Sequence, residues 1–246
     1  IITAQLLETA LLANFNHGSL VLTATKRITN EAGNIPVMEF GARRARGIDS
    51  SIEASKYSYI GGCVGTSNTY AGKKYHIPVM GTMAHSLVTE VEDEYEAFLN
   101  YTKTNPNNSL FLVDTYDTLR SGVVNAIRVA NEYLTPNGYK FKGIRIDSGD
   151  LAYLSKEARK MLDEAGYNDA MICLSNGLDE YTIADLIKQG ACFDTLGVGD
   201  NIAASLDRVG GVYKLSAIED KGEIIPKMKL SNDTIKTTNP GFKKVY

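Results

Sequence analysis

The 246-residue sequence contains no tryptophan and only three cysteines, six prolines and three histidines. Three cysteines are too few, and odd in number, for a disulfide framework, so we expect core residues in a reducing compartment. No apolar run approaches the roughly 18 residues that a membrane span requires. A net charge of -3 gives no general attraction to a polyanion. We therefore expect a cytoplasmic protein that has neither a membrane nor nucleic acid as its partner.

The first residues, Ile1-Ile2-Thr3, contain no initiator methionine, and we expect the sequence to be a piece of a longer protein. Apolar residues at helical spacing predict a leading helical segment at 1–35, which would join an earlier part of the longer protein. Residues 36–219 are expected to form an α/β barrel that carries the active site. Residues 220–246 are polar and turn-rich, and they are expected to lead to a further C-terminal part.

From residue 36 onward, short apolar runs alternate with helical patterns, which is typical of parallel βα units. The length suits a TIM-like (β/α) barrel. An open, doubly wound sheet stays open as the alternative, because periodicity alone does not separate the two. The predicted strands are 36–40, 77–80, 109–113, 141–146, 170–174, 192–196 and 210–215.

Polar residues follow most of these runs, and in a parallel barrel the loops after the strands converge on one face. His85 lies in such a loop, after Gly81-Thr82-Met83-Ala84, although a single histidine is more often structural. Asp114 and Asp147 each end an apolar run, where a carboxylate needs a partner. His85 and Arg145 are the candidate partners. The alternative for each aspartate is a helix N-cap.

Two loops have the composition of anion-binding sites. Gly197-Val198-Gly199 can present backbone N–H groups to a phosphate, with a simple tight turn as the alternative. Asp200 follows directly, and its carboxylate would repel a phosphate. Arg43, Arg44 and Arg46 suit bidentate capture of a carboxylate or phosphate, with a solvated basic loop as the alternative.

Six motifs occur in the order found in nicotinate phosphoribosyltransferases, and the sequence resembles this family from Pro36 almost to its end. The resemblance implies the irregular TIM-like barrel of a type II phosphoribosyltransferase. It also implies an enzyme of NAD biosynthesis that makes nicotinate mononucleotide and pyrophosphate from nicotinate and phosphoribosyl pyrophosphate. The motifs are Glu39–Ala45, Gly81–Ser86, Asp114–Tyr116, Arg145–Leu151, Ser175–Asp179 and Gly210–Leu215.

The resemblance implies roles for individual residues as well. His85 would be phosphorylated transiently by ATP, with Asp114 orienting its imidazole and Asp147 as the third catalytic residue. Mg²⁺ is expected with the pyrophosphate, without assigned protein ligands, and a homodimer is expected as the assembly. The pyridine ring and its carboxylate would be bound by Arg43, Thr82 and Arg145. The phosphoribosyl side would be bound by Asp147, Ser175, Asn176, Gly177, Gly197, Gly199 and Asp200.

Two other functions stay open beside this one, a nicotinamide-using relative with the same barrel and a non-catalytic barrel that serves as a binding module. In the nicotinamide-using relative, an aspartate stands in the segment matching Gly65-Thr66-Ser67-Asn68, and Ser67 is found there instead. Because this carboxylate is absent, the sequence favours nicotinate as the substrate.

Asp200 departs from the expected family pattern, in which threonine more often follows the glycine loop.

Overall fold

The structure is a computed structural model that describes residues 2–204, 207, 210–230 and 237–244. The chain divides into two compact units, Gly18–Asp207 and a second unit formed by Ile1–His17 with Arg208–Tyr246. The predicted boundaries after residues 35 and 219 stay predictions. None of the helices in the described ranges combines the length and the apolar content needed to cross a membrane.

The larger unit contains a parallel sheet whose strands alternate with helices. Its strands are β1 (Val37–Glu39), β2 (Gly65–Thr66), β3 (Leu110–Leu112), β4 (Gly143–Ile146), β5 (Met171–Leu174) and β6 (Thr195–Val198). The helices of the chain are α1 (Ile2–Ala32), α2 (Ile48–Ile60), α3 (Thr69–Tyr75), α4 (His85–Val88), α5 (Glu94–Thr104), α6 (Val123–Val129), α7 (Leu151–Glu164), α8 (Glu180–Lys188) and α9 (Asp200–Ala203).

The strand order is β2-β1-β6-β5-β4-β3, and every neighbouring pair is parallel. The first strand therefore pairs with the sixth, as the ends of a barrel do, whereas a doubly wound sheet keeps its first strand in the middle. A single bridge from Thr66 to Val79 extends the series beyond β2. Within the described residues, no pairing joins Val79 to β3. The sheet is thus consistent with the irregular barrel predicted from the sequence.

Side chains alternate between two apolar layers, because successive residues of a strand point to opposite faces. Met38, Leu110 and Cys173 form a small inner cluster, against which Phe40 packs. They come from β1, β3 and β5, and alternate strands contribute to one layer in a barrel interior. The intervening residues, such as Phe111 on β3, belong to the large core between the strands and the helices.

Acidic side chains cap the N-termini of the helices that follow several strands. Asp150 accepts a hydrogen bond from the backbone N–H of Tyr153 at the start of α7, at 3.0 Å. Asp179 does the same for Thr182 at the start of α8, at 2.7 Å. Because Asp150 caps α7, the N-cap alternative for Asp147 is wrong, and the Asp147 side chain is left for other contacts.

The predicted strand at 210–215 is wrong, since residues 210–216 form no strand in the structure. The smaller unit instead contains an antiparallel hairpin, β7 (Ala217–Asp220) with β8 (Glu223–Pro226). Its two turn residues, Lys221 and Gly222, have φ angles of 51° and 84°. A two-residue turn with positive φ at both positions matches the twist of antiparallel strands, which is why the hairpin forms there.

Gly143 is the first residue of β4, and we expect its replacement by alanine to destabilise the barrel strongly. Its φ is 138°, and an added Cβ would lie 1.9 Å from the Met171 carbonyl oxygen on β5. We expect a loss on the order of 3 kcal/mol, or about 6 to 12 °C in Tm. Gly138 is the control: its φ is 76° and it has open space around it, so Gly138→Ala should cost only about 1 kcal/mol. Equal Tm values for both variants, measured by thermal unfolding, would contradict this account.

Candidate active site

The loops at the carboxyl ends of the strands enclose a cleft of about 560 Å³, called the mouth cleft below. Every residue to which the family resemblance gave a role lines it except Asp114, which lies behind His85, and Arg46 of the predicted basic loop does not line it. The structure thus brings together residues from five separate segments of the chain. Those lining the cleft are Arg43, Thr82, His85, Arg145, Asp147, Ser175, Asn176, Gly177, Gly197, Gly199 and Asp200.

His85 is the first residue of α4, and its imidazole is held by Asp114. The Nε2 atom lies 3.1 Å from Asp114 Oδ1. The Asp114 side chain is 1% exposed, whereas the His85 side chain is 42% exposed. The other oxygen of Asp114 accepts hydrogen bonds from the Asp147 backbone N–H at 3.2 Å and from Ser148 Oγ at 2.5 Å. A buried, fixed carboxylate therefore orients a histidine that remains open to the cleft.

Arg145 is fixed at the end of β4 by one hydrogen bond from each of its three nitrogens. Nε donates to Ser175 Oγ at 2.8 Å, Nη1 to Thr82 Oγ1 at 2.9 Å, and Nη2 to Asp147 Oδ1 at 3.1 Å. The guanidinium carbon lies 5.1 Å from the centre of the Phe40 ring. A guanidinium has five N–H donors, so two remain for a ligand in the cleft. The predicted pairing of Arg145 with Asp147 is present.

The arginine loop after β1, Ala42–Arg44, forms one turn of 3₁₀ helix. Arg44 Nε lies 3.1 Å from Asp200 Oδ1, and both side chains are about half exposed. This ion pair offsets the negative charge that Asp200 would otherwise present to a phosphate. Because the pair is solvated, its own energy is small, so an anionic ligand can compete with Asp200 for the arginine.

Glycine is required in the Ser175–Gly177 and Gly197–Gly199 loops for different reasons. Gly177 has a φ of 59°, and Asn176 before it has a φ of 98°, so this turn requires left-handed backbone. At Gly197, an added Cβ would lie 2.4 Å from the Phe40 ring. The glycine at 197 is therefore explained by packing against Phe40, whether or not a phosphate binds at this loop.

Phe40 and Ser148 belong to this region but were not assigned a role in the site from the sequence. Phe40 lines the mouth cleft, together with Arg44 of the predicted basic loop and Ser67, and Ser148 holds Asp114. Phe40 was detectable in principle, because it lies two residues after Met38 and so shares its inward face. The role of Ser148 depends on a contact with a distant strand, and no local signal points to it.

The Cys173 thiol does not supply a nucleophile, and the described carboxylates and histidines form no closed metal site of their own. Burial raises the pKa of the Cys173 thiol to about 12, although the charge of Arg145 acts in the opposite direction. The thiol is therefore protonated at neutral pH and is not a nucleophile. In the described part of the chain, no group of three or more His, Cys, Asp or Glu residues is arranged to hold a metal ion.

Comparison with known proteins agrees with this geometry. Residues 35–242 match the model of the nicotinate phosphoribosyltransferase (NAPRTase) family. The chain is 50% identical to the nicotinate phosphoribosyltransferase of Bacillus subtilis, with all of this chain and 50% of that protein covered. It is 32% identical to the human nicotinate phosphoribosyltransferase, with all of this chain and 55% of that protein covered. The chain thus spans about half the length of the curated relatives that it matches.

Solved structures show the same similarity in three dimensions. The crystal structure of human nicotinic acid phosphoribosyltransferase matches with a TM-score of 0.72 at 31% identity, covering 79% of this chain and 50% of that one. The nicotinate-nucleotide pyrophosphorylase of Pyrococcus furiosus matches with a TM-score of 0.68 at 27% identity, covering 90% of this chain and 57% of that one. With a family model that matches most of its length, the chain belongs to the nicotinate phosphoribosyltransferase family.

Proposed function

We propose that the whole protein is a nicotinate phosphoribosyltransferase, which joins nicotinate to phosphoribosyl pyrophosphate and releases pyrophosphate in NAD biosynthesis. The observation that supports this most directly is Arg145, a fixed cation with two free N–H donors in the mouth cleft. The proposal includes a homodimer and a cytoplasmic location, both of which come from the family resemblance.

Nicotinate is a flat ring with one carboxylate, and the Arg145 region offers a partner for each part. The two free N–H donors of the guanidinium suit a carboxylate, because planar guanidinium groups bind carboxylates in pairs of parallel hydrogen bonds. The Phe40 ring beside Arg145 offers an apolar surface to the pyridine ring. Ser67 lines the cleft without adding a negative charge that would oppose the substrate carboxylate.

The phosphoribosyl group would lie along the loops after β4, β5 and β6. The described hydrogen bonds to the Asp147 carboxylate both go to Oδ1, from Arg145 and from Ser175. Asp147 Oδ2 is therefore the oxygen that could accept a hydrogen bond from a ribose hydroxyl. Arg44 borders the same cleft and would supply positive charge to the phosphates. Arg43, which the resemblance assigned to the pyridine side, lies beside it on the same loop and would add to that charge.

ATP would act through His85. Asp114 accepts a hydrogen bond from the protonated Nε2, which leaves the lone pair on Nδ1 as the nucleophile. Nδ1 attacks the γ-phosphorus of ATP, the bond to the bridging oxygen breaks, and ADP leaves with that oxygen. The negative charge of Asp114 stabilises the phosphorylated imidazole. Hydrolysis of this phosphohistidine would then be coupled to formation of nicotinate mononucleotide.

Mg²⁺ fits this site as an ion that arrives with the substrate phosphates. The cleft carboxylates are already engaged, Asp114 by His85, Asp147 by Arg145 and Asp200 by Arg44. A magnesium ion commonly uses one or two carboxylates together with phosphate oxygens and water. Asp147, through Oδ2, is the residue best placed to serve. The bound ion would neutralise charge on the departing pyrophosphate.

Turnover by the whole protein tests this proposal against a non-catalytic barrel. We expect pyrophosphate and nicotinate mononucleotide to appear in equal amounts when nicotinate, phosphoribosyl pyrophosphate, ATP and Mg²⁺ are supplied together. Omission of ATP should lower the yield at equilibrium. A folded protein that binds these substrates but releases no pyrophosphate would support the binding-module alternative instead.

A further inference from the structure

Glu39 is a fully buried carboxylate, 0% exposed, on the outer face of β1. Among the described residues, no ion pair includes it. Its oxygens accept hydrogen bonds from Gly41 N–H, from Ser55 Oγ at 3.1 Å and from Thr66 Oγ1 at 2.5 Å. A buried charge without a cation is costly, and an apolar residue often stabilises such a position better. Packing alone therefore does not account for a glutamate here.

The hydrogen bonds of Glu39 reach two segments that border the mouth cleft. Oε1 holds the N–H of Gly41, the residue directly before the arginine loop. Oε2 holds Thr66, whose Oγ1 in turn accepts the N–H of Asn68 at 3.0 Å. Ser67, between Thr66 and Asn68, lines the cleft. One buried carboxylate thus fixes the loops that follow β1 and β2.

Gly41 is also in close contact with the loop after β6. An added Cβ at Gly41 would lie 2.6 Å from the Gly199 carbonyl oxygen and 2.5 Å from the Ala203 Cβ. The hydrogen bond from Gly41 N–H to Glu39 thus lies where the arginine loop meets residues 199–200, next to the backbone hydrogen bond from Phe40 N–H to the Val198 carbonyl oxygen at 2.7 Å. At the same contact, Arg44 Nε lies 3.1 Å from Asp200.

We infer that Glu39 is a positioning residue for phosphate recognition, which holds the arginine loop so that Arg43 and Arg44 face the loop after β6. Glu39 does not line the cleft; it acts through the Gly41 backbone. This inference rests on the proposed function in one respect, namely that the ligand of the arginine loop is the pyrophosphate part of the substrate.

Calorimetric titration of the whole protein with inorganic pyrophosphate tests this role without requiring turnover. We expect Glu39→Ala to raise the Kd for pyrophosphate by about tenfold or more, because the arginine loop loses its anchor. Glu39→Gln should raise the Kd for pyrophosphate by less than about threefold. The amide oxygen can still accept a hydrogen bond from Gly41 N–H, and the hydroxyls of Ser55 and Thr66 can accept hydrogen bonds from the amide NH₂ instead of donating to a carboxylate. Thr66→Val, which keeps the side-chain shape, supplies a milder variant if Glu39→Ala does not fold.

Glu94→Ala is the matched control. Glu94 is also buried, 4% exposed, and accepts hydrogen bonds from Ser121 and Asn125, but it does not line the mouth cleft. Its loss should lower Tm without changing the Kd for pyrophosphate. In an Arg43→Ala/Arg44→Ala background, Glu39→Ala or Thr66→Val should have no further effect on this Kd, because the arginines that Glu39 positions are gone.

The outcomes separate the two proposals. A lower Tm with an unchanged Kd in Glu39→Gln, Thr66→Val and Glu39→Ala would overturn the positioning role, as would undiminished effects in the double-arginine background. Absence of pyrophosphate binding in the unmutated protein would overturn it as well. Failure to turn over nicotinate, with pyrophosphate binding and its dependence on Glu39 intact, would count only against the proposed function.

Discussion

Replacing His85 by alanine in the whole enzyme is expected to abolish phosphoryl transfer from ATP to the protein. The imidazole is the nucleophile of the proposed step, and no other described histidine lines the mouth cleft. Incubation with γ-labelled ATP should give an acid-labile label in the unmutated protein and none in His85→Ala. Asp114→Asn keeps the side-chain shape but loses the charge, and it should slow labelling on the order of a hundredfold.

His76→Asn is the control for this experiment. His76 lies at the end of α3 with a φ of 56°, which asparagine tolerates, and it does not line the cleft. This variant should be labelled normally. Undiminished labelling of His85→Ala would overturn the phosphohistidine proposal. Attachment of the phosphoryl group to Nε2 would contradict the orienting role of Asp114, because the structure places Nε2 against that carboxylate.

The second large effect concerns the choice between nicotinate and nicotinamide. With Arg145 facing the substrate carboxylate and Ser67 adding no opposing charge, nicotinate should be preferred by at least about tenfold in kcat/KM. Arg145→Gln should remove most of this preference. Similar kcat/KM values for both substrates in the unmutated enzyme, or a preference that survives in Arg145→Gln, would show that Arg145 does not recognise the carboxylate.

The contacts of Arg145 also predict a side effect that the motifs alone did not suggest. The family resemblance placed Arg145 on the pyridine side of the site, and Asp147 and Ser175 on the phosphoribosyl side. In the structure, Arg145 is the cation that pairs with Asp147, and it also holds Ser175. Removal of the charge should therefore weaken pyrophosphate binding to some degree as well. Arg145→Lys keeps the charge without the planar fork, and it separates the loss of charge from the loss of geometry.

Most of the residues predicted for the site lie together in the structure, because the signals used to predict them are local. A polar residue at the end of an apolar run is read from a few neighbouring residues, and in a parallel sheet such residues meet at one edge. His85, Asp114, Arg145 and Asp147 were found in this way. Their roles in catalysis stay predictions, but the structure places all four in one connected group of hydrogen bonds.

Two residues without a predicted role, Phe40 and Ser148, were missed for different reasons. Phe40 shares the inward face of Met38, a local signal that the predictions did not use. Ser148 acts through Asp114, which is distant in the sequence, so no local pattern points to it. The strand predicted at 210–215 failed because a short, partly apolar segment gives a strand only where a neighbour takes up its hydrogen bonds. The hairpin that follows depends on the turn at Lys221 and Gly222, and neither the turn nor the hairpin was predicted from the sequence.

By itself, the sequence predicted the alternation of strands and helices over much of the larger unit, the polar residues at the strand ends and the family resemblance, since each depends on neighbouring residues or on ordered motifs. Only the tertiary structure decided that β1 pairs with β6, that Arg145 uses three of its donors within the protein, and that Glu39 is buried beneath the arginine loop. The reason is that a hydrogen bond or an ion pair depends on distance and angle. Val37 and Leu196 become neighbours only when the chain between them has folded.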